Sequence, residues 1–73
     1  MMQAIQINGG TEYKDIKSMD ELIKTIDNME IQMDDKNEII KRLDEMKFGK
    51  LMLIRKTKIN DEVVYLSIIP QGY

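Results

Sequence analysis

Apolar and polar residues along this chain first alternate, then fall into helical spacing, then alternate again. Gln3-Ala4-Ile5-Gln6-Ile7 has the period of two that a half-buried strand requires, and Asn8-Gly9-Gly10 follows with residues that accept positive φ. This predicts a β-hairpin with a three-residue loop and Gly10 in the left-handed position. Ile7 then faces Thr11, Ile5 faces Tyr13, and Met2 and Ile16 close the far end.

From Met19 the period changes. Met19, Leu22, Ile23, Ile26 and Met29 recur at steps of three and four, behind a capping box at Ser18-Met19-Asp20-Glu21. A second box, Asp35-Lys36-Asn37-Glu38, precedes Ile39, Ile40, Leu43 and Met46, and Gly49 stands where a left-handed C-cap residue is expected. Two amphipathic helices, about 19–30 and 36–48, follow from this pattern.

A single long helix competes with that reading. Heptads counted from Met19 place Met19, Ile26, Met33, Ile40 and Lys47 at a, and Leu22, Met29, Lys36 and Leu43 at d, with no Gly or Pro in residues 18–48. Such a seam would need a second chain to cover it. Ile23, Ile31, Ile39 and Met46 fall off the seam, however, and Asp34-Asp35-Lys36-Asn37 is a better helix start than helix centre.

Leu51-Met52-Leu53-Ile54 is a continuous apolar run, the form of a strand covered on both faces. Arg55-Lys56-Thr57-Lys58 extends it to a turn at Asn60-Asp61, and Val63–Ile69 forms a partner strand that Pro70 should end. A two-residue turn sets Thr57 opposite Val64, Arg55 opposite Leu66 and Leu53 opposite Ile68. The expected architecture for residues 1–73 is one small α+β domain. A β-hairpin, two helices (or one long helix) and a second β-hairpin build an antiparallel sheet with helices on one face.

Composition narrows the function. The chain has 73 residues and contains neither cysteine nor histidine. Disulfides, the usual neutral-pH general base and the best thiol nucleophile are therefore all missing. The carboxylates follow no oxygen-ligand loop spacing. No enzyme, cofactor or metal site is expected, and no catalytic residue is proposed. A core this small rarely supplies more than roughly 3–5 kcal/mol of net stability, which favours self-association. Lysine outnumbers arginine nine to two and isoleucine is the commonest residue with twelve, a bias that an AT-rich genome would write, whether a low-GC bacterium, its phages or a mobile element. Met1–Ile7 has no basic flank or continuous apolar stretch, and no run reaches the roughly 18–20 residues of a membrane span. The expected location is cytoplasmic, without a membrane partner.

Charge is divided along the chain. Residues 18–45 carry nine acids against four bases, whereas residues 47–58 carry five bases and no acid. The function expected from this profile is a non-catalytic protein-interaction module, a small regulator or inhibitor of a larger protein of unknown identity. A homodimer is also expected. Ile26, Met29, Ile31 and Met33 are its contact candidates, because the predicted inter-helix turn leaves Ile31 and Met33 without burial in a monomer. The alternative is a nucleic-acid-binding accessory protein that uses the basic hairpin 47–58, with Lys50, Arg55, Lys56 and Lys58 on phosphates. Nucleic acid is the less favoured partner, because the sequence pI is near 5.0 and few aromatics accompany the lysines.

Overall fold

Positive-φ residues fix both hairpins. In the computed structural model, which describes residues 1–71, strand β1 (Met2–Ile7) turns into β2 (Gly10–Ile16) through Asn8 at φ 52° and Gly9 at φ 85°. This two-residue turn twists in the sense that the strands require. The loop is one residue shorter than the sequence suggested. Gly10 is a strand residue opposite Ile7, and Gln6 takes Thr11. Ile5 still meets Tyr13, because β2 carries an extra residue between those pairs, and a second irregularity brings Ile16 opposite Gln3 rather than Met2.

The second hairpin joins β3 (Leu53–Ile59) to β4 (Glu62–Gln71) through Asn60 and Asp61, both at positive φ. Its register is the one that the apolar pattern predicts: Leu53 opposite Ile68, Arg55 opposite Leu66 and Thr57 opposite Val64. Pro70 does not end β4. Pairing with β1 continues to Gln71, whereas β3 stops at the Leu53–Ile68 pair, so one side of β4 needs no donor from residue 70. The strand order is β2-β1-β4-β3, antiparallel throughout.

Two helices cross one face of this sheet. Helix α1 (Met19–Asn28) begins at Ser18, whose hydroxyl accepts from the Glu21 N–H at 3.1 Å, while the Glu21 carboxylate reaches back to the Lys17 N–H. Replacing Ser18 by Ala should cost about 1 kcal/mol in a urea melt. Leu22 and Ile26 are fully buried beneath α1, and Ile39 and Leu43 beneath α2 (Met33–Leu43). Together with Ile5, Leu66 and Ile68 they form the core, each contributing roughly 1.5–3 kcal/mol of burial.

The chain breaks between the helices because it is needed as a strand. Ile31 bridges to Ile59, Gln32 N–H donates to the Lys58 carbonyl at 3.0 Å, and Asn60 N–H donates to the Glu30 carbonyl at 3.1 Å. One continuous helix is thereby excluded. Helix α2 starts directly after this bridge, three residues earlier than expected, so Asp35 lies within its first turn and does not cap it. The helix also ends at Leu43, and Gly49 is not its cap. Gly49 is the third residue of a turn in which Lys50 N–H donates to the Lys47 carbonyl, with φ 96°.

Ile31 corrects a second expectation. It is only 5% exposed and belongs to the monomer's own core, as do Ile26 and Met29.

Candidate interaction surface

Alternation along β3 sends its residues to two different environments. Leu53 and Thr57 are buried under the helices, with Arg55 on the same side, while Ile54, Lys56 and Lys58 point to the opposite face. The register with β4 places Lys56 beside Tyr65, Lys58 beside Val63 and Ile54 beside Ser67. No helix among the described residues covers this face. Ile54 is 69% exposed and Tyr65 57%, with Val63 and Met52 also open. The run Leu51–Ile54 is therefore covered on one face only, which corrects the expectation of a strand buried on both: Leu51 and Leu53 are inside, Met52 and Ile54 outside. Beside the start of β3 a groove of about 170 Å³ is lined by Arg42, Met46, Met52, Leu53, Ile54 and Arg55.

Arg55 is committed to the helix side. Its guanidinium donates to Asp35 at 2.8 Å and to both oxygens of Glu38 at 2.9 and 3.2 Å, and Thr57 donates its hydroxyl to Asp35 at 2.6 Å. Glu38 and then Asp35 hold the Arg55 pKa above its ordinary value. The Thr57 hydroxyl, followed by Arg55, pulls the Asp35 carboxyl below the usual range against a smaller opposing effect of burial. With Thr57 buried, this cluster clamps α2 to β3. A lowered carboxyl pKa adds stability that is complete above the unfolded value and is lost as pH falls through the folded one. Asp35→Asn should therefore differ most from wild type near about pH 7, and the gap should close below about pH 4. Chemical melts at the two pH values would check this.

Of the phosphate candidates, Lys56 and Lys58 share the open face with Tyr65, Lys50 is exposed in the connection before β3, and Arg55 lies on the other side of the sheet. Of the contact candidates, Ile26, Met29 and Ile31 are interior, and Met33, 62% exposed, begins α2. The open patch of Ile54, Val63 and Tyr65 was not singled out from the sequence, although the register derived there already aligns it. Reading Leu51–Ile54 as doubly covered concealed it. No helix is long and apolar enough to cross a membrane among the described residues. No protein-family model, curated protein or solved structure matches the chain, so the functional reading rests on its own residues.

Proposed function

We propose that this protein is a non-catalytic interaction module, a small regulator or inhibitor of a larger protein, which docks through the helix-free face of its sheet. One observation carries this reading: Met52, Ile54, Val63 and Tyr65 are exposed around β3 and β4 in a chain whose other large apolar residues mostly fill the core. Exposed apolar groups gathered on one face and rimmed by lysines are the form of a contact surface, and an exposed tyrosine among them is a favoured anchor. The homodimer expectation loses support, since three of its contact candidates, the seam residues Ile26 and Met29 and the turn residue Ile31, are covered within the monomer.

Capture from a lysate of the native host tests the reading. Wild type and Lys41→Glu, altered on the outside of α2, should retain the same partner. Tyr65→Ala should weaken the complex about thirtyfold, roughly 2 kcal/mol, with an unchanged circular dichroism spectrum. Capture indifferent to both Tyr65→Ala and Ile54→Glu would contradict it.

The second reading, a nucleic-acid accessory protein, draws on Lys56, Lys58 and Tyr65 sharing this face. It requires binding that weakens steeply between about 50 and 200 mM salt. The docking reading predicts no gel shift of mixed DNA or RNA at about 150 mM salt and low micromolar protein.

A further inference from the structure

The two edges of the sheet are built differently. The β2 edge is broken by two register irregularities and by Asp15 at φ 61°. Gln71 holds that kink, accepting from the Asp15 N–H and donating to its carboxylate, both at 2.7 Å. Bulges of this kind prevent another strand from adding. The β3 edge has no irregularity over its seven pairs with β4. The Ile59–Glu62 pair closes a two-residue turn, so residues 53, 55, 57 and 59 direct their backbone groups at β4, and residues 54, 56 and 58 direct theirs outward. The Glu30–Gln32 segment already pairs with the far end of this edge, through the Lys58 carbonyl and the Asn60 N–H. Among the described residues, no other segment bonds the outward N–H and C=O groups of Ile54 and Lys56.

We infer that the β3 edge at Ile54–Lys56 takes up an extended acidic–apolar segment of a partner protein as an added strand. This rests on the docking reading of the adjoining face and specifies the chemistry of the partner there. Charge complementarity selects the occupant. Strand β3 carries no acid, and Lys56, Lys58 and the nearby Arg42 form no ion pair among the described residues, where Asp35 and Glu38 are both engaged by Arg55. Alternate side chains of the incoming strand would meet Ile54 and Lys56 on the open face, with Tyr65 one strand further in, and Arg42 with Met46 in the groove. Methionine adapts its shape to such side chains. A second copy fits poorly, because the antiparallel register that engages residues 54 and 56 of both chains sets Arg55 directly opposite Arg55. A nucleic-acid backbone fits poorly as well: phosphates accept from the two N–H groups but donate nothing to the two carbonyls.

Amide NMR titration of the full chain tests the inference with a blocked peptide of about eight residues alternating Glu and Val. Saturable shifts and slowed exchange at the Ile54 and Lys56 amides are expected. A Lys/Val counterpart, and a Glu/Val peptide N-methylated on its pairing edge, should each bind at least about tenfold more weakly, since backbone bonds supply affinity in strand addition. Lys56→Glu with Lys58→Glu should reverse the charge preference. Edge amides unmoved at millimolar peptide, equal binding of both charges, a dimer covering the edge, or an oligonucleotide moving these amides more than the peptide does would each overturn the inference. If Ile54→Glu abolishes capture of the cellular partner while the peptide leaves the edge unmoved, the docking face stands and the strand addition falls. If the peptide adds to the edge while capture is indifferent to Ile54 and Tyr65, the strand addition stands and the docking face falls.

Discussion

Replacing Gln3 by Leu should remove about 3 kcal/mol of stability, most of what a core of this size supplies. Gln3 is fully buried at the base of the sheet, and all of its side-chain hydrogen bonds serve the connection between α2 and β3. Its Oε1 accepts from the Gly49 and Leu51 N–H groups at 2.8 and 3.1 Å, and its Nε2 donates to the Leu51 carbonyl at 3.1 Å. Leucine fills a similar volume but strands two donors and one acceptor, each costing roughly 1–3 kcal/mol if it stays dry. The connection would loosen to hydrate them, which keeps the total near the lower end of that sum. Urea melts would measure the loss, and a change under about 0.5 kcal/mol would mean that water already serves these groups.

The second large effect is at Ile31. Ile31→Ala should cost about 3 kcal/mol, because it opens a cavity between the helices and β3, whereas Met33→Ala two residues away should stay within about 0.5 kcal/mol. The cost should not vary with protein concentration. A residue that stabilised the fold through a dimer contact would instead give a midpoint that rises with concentration. Melts of both variants at two concentrations tenfold apart separate the possibilities.

Much of the fold was legible because local signals agreed with one another. Ser18 and Glu21 marked the start of α1, and Asn60-Asp61 set the whole β3–β4 register. The first hairpin was harder, because Asn8-Gly9 and Gly9-Gly10 can both supply positive φ, and a bulge in β2 let the Ile5–Tyr13 pair survive the wrong loop length. Asp35 misled for a chemical reason. A carboxylate in the first turn of a helix looks like a cap, yet here Thr57 and Arg55, remote in sequence, claim it. Ile31 could not be placed from spacing at all, since one bridge residue leaves no period to read. The open face was in the pattern, because Ile54, Lys56 and Lys58 alternate with Leu53, Arg55 and Thr57. What local sequence does not carry is whether a second layer covers that face.

Hydrogen exchange of the isolated protein, read residue by residue along β3, examines the free edge directly. Arg55, Thr57 and Ile59 bond to β4 and should be protected, while Ile54 and Lys56 present their amides to solvent and should exchange at least about a hundredfold faster. That alternation is the expected result. Uniform protection from Ile54 to Ile59 would show that the edge is already covered in solution, and would contradict a surface held open for a partner.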